Sequence, residues 1–272
     1  MKRVLTISSA VLAAMATAGL LPAQIQCVRP PACVKPPAGM VSWWTGDGIA
    51  RDIQGTNDAT LVGATYAPGM VGQAFSLPGG SRVEAASSAS LQIAGPITLD
   101  AWVSYQGVSP QTAGVSNAPI VAKWGDTSRG TAGYGLFVYS AASGLPDGTL
   151  VFAVSPDGTN KVTATGPPLP SRSFTHVAGV WNGSQLQLYI NGVLVATTPF
   201  TGPIVANAAP LVIGGYDPLF TNISDAMVGL IDEVEIFHRA LSQTEIQSIV
   251  DAASAGKCKR LCQLCGFCDQ LP

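Results

Sequence analysis

The sequence predicts an all-β chain, built as two antiparallel sheets packed face to face with one short helix near the C-terminus. Three observations predict it. Short runs rich in β-branched and aromatic residues recur along the 272 residues. Thirty glycines and twenty prolines, with Asn and Asp, divide those runs into strand-length pieces. No alternating strand–helix pattern of the kind that builds parallel sheets is present. Candidate strands lie at 41–44, 59–62, 74–77, 97–104, 120–123, 135–140 and 150–155. Further candidates are 161–164, 175–181, 186–190, 193–197, 210–213 and 229–237.

The clearest stretch is HVAGVWNGSQLQLYINGVLVATT. Asn182-Gly183 and Asn191-Gly192 each separate β-prone runs, and Asn-Gly suits a type I′ turn with positive φ at both central residues. Between them Leu186, Leu188 and Ile190 alternate with Gln185, Gln187 and Tyr189, the pattern of a half-buried strand. A three-strand meander is therefore expected. The helix signal comes later. Ser242-Gln-Thr-Glu245 reads as a capping box, followed by Ile246, Ile249, Val250 and Ala253 at helical spacing, with Gly256 as the expected stop.

Composition narrows the function classes. Charged residues make up 11% of the chain against a usual quarter or so, and net charge is −2. No basic field for nucleic acid exists. Residues 1–23 read as a signal peptide, with Lys2 and Arg3 before the apolar core AVLAAMATAGLL and cleavage expected after Ala23. That core is too short to span a bilayer, and no later stretch is long and apolar enough to do so, so no membrane span is expected in the mature chain. A secreted protein, extracellular or periplasmic, is predicted. Residues 24–39 form a Pro-rich, Cys-containing lead-in, 40–255 the β domain, and 256–272 a Cys-rich tail.

The six cysteines occur only at the ends: Cys27 and Cys33, then Cys258, Cys262, Cys265 and Cys268. An even count in an exported chain reads as disulfides, in any of 15 connectivities. The spacing of CKRLCQLCGFC also admits a four-thiolate zinc site or a redox Cys-x-x-Cys, but neither Cys-x-x-Cys opens a helix after a strand.

Several segments, in order, carry a resemblance. These are MVSWWTGDGIARDIQGTNDATLVGATYAPGMVGQAFSLPG, ITLDAWV, IVAKW with GYGLFVY, FTHVAGVWNGSQLQLYINGVLV and GLIDEVEIFHRALSQTEI. Over roughly residues 40–253 the chain resembles the laminin-G-like, concanavalin A-like lectin/glucanase jelly-roll domains of secreted bacterial proteins. The resemblance implies a jelly-roll sandwich and a binding role, often toward glycans. It also implies that the first and last strands lie side by side, so that up to three bridges would tie the lead-in to the tail.

Related jelly rolls often hold a structural calcium near the first and last strands, and GDGIARDIQGTND supplies clustered oxygens on a Gly-rich loop. Asp47, Asp52 and Asp232 are the candidate ligands; turn chemistry by the same Asp and Asn side chains is the competing reading. Glu233 and Glu235 sit two apart on a strand and share a face, as a glycosidase acid pair must, but the full glucanase pattern is missing, and a charged solvent-facing edge explains them as well. Trp43, Trp102 and Trp181 read as core, and His176 and His238 as structural. For ligand contact the candidates are Trp124 and Asp126 at a strand end, and Tyr216, Asp217, Phe220 and Asn222 in the loop YDPLFTNISD, since sugars lie well on aromatic rings flanked by amides and carboxylates.

The expected function is a secreted, non-catalytic module that binds carbohydrate or an extracellular matrix or protein ligand. A structural or adhesion module is the alternative, followed by a glycan-cleaving enzyme.

Overall fold

The computed structural model describes residues 33–109, 117–216 and 226–259. The chain divides into Met1–Pro30 and Pro31–Pro272, and all described residues belong to the second unit. Cys27, Cys262, Cys265, Cys268, Asp217, Phe220 and Asn222 lie outside the described residues.

The described residues form a jelly-roll sandwich of two antiparallel sheets. The strands are β1 (Met40–Trp44), β2 (Ala59–Val62), β3 (Thr65–Pro68), β4 (Gln73–Pro78), β5 (Arg82–Ala85), β6 (Ile97–Ser109), β7 (Asn117–Lys123) and β8 (Tyr134–Tyr139). They continue with β9 (Thr149–Val154), β10 (Val162–Pro168), β11 (Thr175–Trp181), β12 (Gln185–Ile190), β13 (Val193–Pro199), β14 (Leu211–Ile213) and β15 (Ala226–Phe237). One sheet runs β13-β12-β11-β6-β15-β4-β3, with β1 also on β15; the other runs β10-β9-β8-β7-β14-β5-β2. Strands β3 and β5 are the two that sequence patterning missed. Both are only four residues long, and β3 (TYAP) carries a proline.

The core follows from period-2 alternation. On β6, Ile97, Leu99, Ala101, Val103 and Tyr105 point between the sheets, while Asp100 and Trp102 take the other face. Opposite them β8 and β9 contribute Tyr134, Leu136, Val138, Leu150, Phe152 and Val154. Gly179 of β11 allows a close approach of the sheets: a Cβ there would lie 2.4 Å from the Phe152 ring.

The meander β11–β12–β13 forms as expected. Asn191 (φ 48°) and Gly192 (φ 77°) have the positive φ that a type I′ turn requires. The turn at Asn182 differs. Asn182 stays outside the left-handed region, and its side-chain Oδ1 accepts from the Ser184 and Gln185 backbone N–H groups at 2.9 and 3.0 Å. That side-chain acceptor replaces the I′ backbone geometry.

Helix α1 (Gln243–Ala252) starts at the expected capping box: Ser242 Oγ accepts from Glu245 N–H, and Glu245 Oε2 accepts from Ser242 N–H. It ends at Ala252, ahead of the expected Gly256, with Ala253 at φ 45°. Ile246 and Ile249 pack with Trp43, Ala178, Val180, Tyr189 and Phe237, so α1 covers part of the outer face of the eight-stranded sheet. Replacing Ser242 with Ala is expected to cost about 1 kcal/mol in a urea unfolding experiment, with little change in the slope of the transition.

Candidate functional site

The seven-stranded sheet presents an aromatic cluster on its outer face. Phe137 and Tyr139 of β8, Ala153 of β9, Ala122 of β7 and Val212 of β14 lie there, joined by Trp124 and Tyr216 from just beyond two strand ends. Trp124 meets Phe137 edge-on with ring centroids 5.4 Å apart, and Phe137 stacks on Tyr216 at 6.3 Å. Together with Asn117, Asp126 and Lys161 these rings line a cleft of about 280 Å³. Its walls are thus apolar rings with polar groups at a few points, the usual make-up of a small-molecule site.

Those polar groups are held in place. Tyr216 donates its hydroxyl hydrogen to Asn117 Oδ1. Asp126 caps a short turn, accepting from Ser128 N–H at 2.8 Å, with Arg129 3.5 Å away. The Ser128 hydrogen bonds lower the Asp126 pKa, so the group is a carboxylate at neutral pH. Lys161 lies over the Tyr139 ring, 5.9 Å from its centroid. Three of the residues proposed from sequence (Trp124, Asp126 and Tyr216) therefore meet at one cleft. Trp124 and Tyr216 are walls rather than projecting loop side chains, at 9% and 6% exposure. Phe137, Tyr139, Asn117 and Lys161 were missed. For Phe137 and Tyr139 the signal was the alternation in YGLFVY, which sends them to the face opposite Leu136 and Val138.

Of the three aspartates proposed for calcium, Asp47 and Asp232 are near neighbours, and Asp52 is engaged separately. Asp52 organises its own loop: Oδ1 accepts from the N–H groups of Trp43, Gln54 and Gly55, and Oδ2 from that of Asn57. Donor hydrogens aimed at both oxygens leave them poorly disposed to a cation. Asp47 accepts from Gln73 N–H at 2.8 Å and pairs with Lys259. Asp232 accepts from Val71 N–H at 2.8 Å. Gly72 (φ 66°) packs against Asp47, since a Cβ there would lie 2.2 Å from Asp47 Oδ1. Among the described residues no group of three or more His, Cys, Asp or Glu side chains is arranged to hold a metal ion. Asp52 is thus engaged in organising its own turn, Asp47 in an ion pair with Lys259, and Asp232 in a backbone hydrogen bond.

Glu233 and Glu235 are not a solvent-facing edge. Both side chains are fully buried, and both contact the Lys257 ammonium, Glu233 at 3.1 Å. Lys259 reaches Glu233 at 2.9 Å, and the Trp43 indole N–H donates to Glu233 at 3.2 Å. Glu233 has φ 53° in an irregularity between Asp232 and Glu235, which breaks the strand's two-residue alternation. Burial, reinforced by Asp100, holds the Glu235 carboxyl well above its ordinary range. Burial alone would lower the Lys257 pKa, but Glu235, Glu233 and Asp100 more than reverse that. Of the six cysteines, Cys33 and Cys258 are joined by a disulfide within the described residues.

The chain matches the family model described as the concanavalin A-like lectin/glucanases superfamily (Laminin_G_3) over residues 77–247, and it belongs to that superfamily. Among solved structures it is similar to domain 4 of AbnA, a GH43 extracellular arabinanase from Geobacillus stearothermophilus, in complex with arabinotriose. The TM-score is 0.55 at 18% identity, covering 76% of this chain and 96% of that one. It is also similar to the binding domain of Paraclostridial Mosquitocidal Protein 1 (TM-score 0.60, 15% identity, 79% of this chain and 52% of that one). A third is the binding domain of Botulinum Neurotoxin DC in complex with SialylT (TM-score 0.55, 12% identity, 79% and 52%). The chain thus spans about half the length of these toxin binding domains, and the likeness is one of fold. No curated protein sequence matches it significantly.

Burial raises the Asp232 pKa to about 8, from an unfolded value near 4. The folded state therefore binds the extra proton between those values. The stability this contributes is fully present below about pH 4 and is lost as pH rises toward 8. Asp232→Asn keeps an acceptor for Val71 N–H and removes the titration. Its stability relative to wild type is expected to climb from pH 4 to 8 in denaturant melts, then level off. A constant difference across that range contradicts the assignment.

Proposed function

We propose that this protein is a secreted, non-catalytic carbohydrate-binding module whose site is the cleft between Trp124, Phe137, Tyr139 and Tyr216. The observation that carries the reading is the aromatic cluster on the outer face of the seven-stranded sheet, bordered by Asn117, Asp126 and Lys161. Ring faces take the C–H faces of a sugar, and the amide, carboxylate and ammonium take its hydroxyls. The cleft has room for a sugar residue or a short glycan end, with neighbouring units lying across the sheet. Two structural relatives solved with arabinotriose and with SialylT support a saccharide ligand.

A non-catalytic role is supported by the state of the acid pair. Glu233 and Glu235 are buried against the Lys257 and Lys259 ammonium groups, away from any glycosidic bond that a ligand would present at the surface. Export is supported by the N-terminal signal pattern and by the Cys33–Cys258 disulfide, which suits an oxidising compartment.

A glycan array run beside a reducing-sugar release assay tests the proposal. Binding without release is expected; release identifies an enzyme, and silence in both favours an adhesion module. Tyr139→Ala and Lys161→Ala alter groups at the cleft's more open edge, so the fold is expected to survive. Each should weaken binding of the best glycan roughly tenfold, about 1.4 kcal/mol, in titration calorimetry. Unchanged affinity in both variants moves the site elsewhere.

A further inference from the structure

We propose that Lys257 and Lys259 are the built-in cations of the seam between β1, β4 and β15, and that the Cys33–Cys258 disulfide holds them in that place. The seam gathers acidic side chains from separate elements. Asp47 comes from the loop after β1, Asp100 from β6, and Asp232, Glu233 and Glu235 from β15. All but Asp47 are at most 1% exposed. His176, also buried, sits 3.2 Å from Asp100. Leaving such a cluster without cations is strongly unfavourable in a dry interior.

The cations come from the chain itself. Lys257 contacts Glu233 and Glu235, and Lys259 contacts Glu233 and Asp47, with both ammonium groups over the Trp43 ring at 5.1 and 5.9 Å. The two lysines flank Cys258, and in an extended segment residues i−1 and i+1 share a face. Lys-Cys-Lys therefore turns its sulfur toward the lead-in and both ammonium groups toward the seam. Around the disulfide, Val34 N–H donates to Gly256 C=O at 3.0 Å and Cys258 N–H donates to Val34 C=O at 2.8 Å. The bridge is thus a positioning device for charge as well as a staple. Two internal cations thus balance these acids, Asp47 of the expected calcium ligands among them, and opening the bridge frees the segment that carries them.

The test compares melting temperatures of the full-length oxidised protein with those of Cys33→Ser/Cys258→Ser, each in excess calcium and in excess chelator. The oxidised protein is expected to melt at the same temperature in both; a clear gain with calcium overturns the proposal. The bridge-free variant is expected to melt about 10 °C lower. A staple acting on the unfolded chain alone would give a similar drop, so the deciding step repeats the comparison in a Glu233→Gln/Glu235→Gln background. There the drop should shrink by half or more, because fewer buried charges need the lysines. An undiminished drop overturns the proposal. If that background does not fold, the milder pair Lys259→Met and Asp47→Asn at the rim replaces it. Lys259→Met should lower the melting temperature, and adding Asp47→Asn should recover part of the loss; additive losses count against the proposal.

Discussion

The molecule is organised by the pairing demands on one strand. β15 lies against β6 along one edge, and its other edge is shared, with β4 on Val228–Ile231 and β1 on Val234–Phe237. The changeover falls at Asp232-Glu233, where the register slips and Glu233 takes a positive φ. An extra residue in a ladder bends the strand and re-aims side chains. Here it turns a run of acids into the interior, at the point where two neighbouring strands end. Every nearby polar feature answers that constraint. Backbone N–H groups of the β3–β4 turn bind Asp47 and Asp232, an indole N–H meets Glu233, and two lysines neutralise the remainder.

The two outer faces consequently differ. The eight-stranded sheet carries α1, the clasped ends of the domain and the buried charges, so its acids are committed to structure. The seven-stranded sheet carries aromatic rings where a solvated sheet face would ordinarily be polar. Rings of this kind gain by packing on one another and keep edges and faces for a ligand. Among the described residues, the buried acids and the aromatic cleft thus lie on opposite faces of the sandwich.

Much of the fold was legible because its signals are local. Alternation in ITLDAWV, the Asn-Gly turn at Asn191 and the Ser242–Glu245 capping box each act over a few residues, and each appears in place. The candidate site was half legible. Trp124, Asp126 and Tyr216 stand out as rings and acids at strand ends, whereas Phe137 and Tyr139 look like ordinary strand residues until the sheet's outer face is known. The acids were misread because their partners are remote. Lys257 is more than twenty residues from Glu233 in sequence, and only the bulge and the Cys33–Cys258 bridge bring the two together. Likewise, the donors that occupy Asp52 are backbone groups, which residue identity does not reveal.

We assign ligand contact to the aromatic face and structural charge to the seam. The five tryptophans offer a direct readout, since Trp124 lines the cleft and Trp43 lies under the lysines. Two-dimensional NMR of the indole N–H signals, recorded while titrating the best-bound oligosaccharide, separates the two regions. Under this assignment the Trp124 signal moves to saturation while Trp43 stays fixed. Movement of Trp43 with Trp124 unchanged would contradict it.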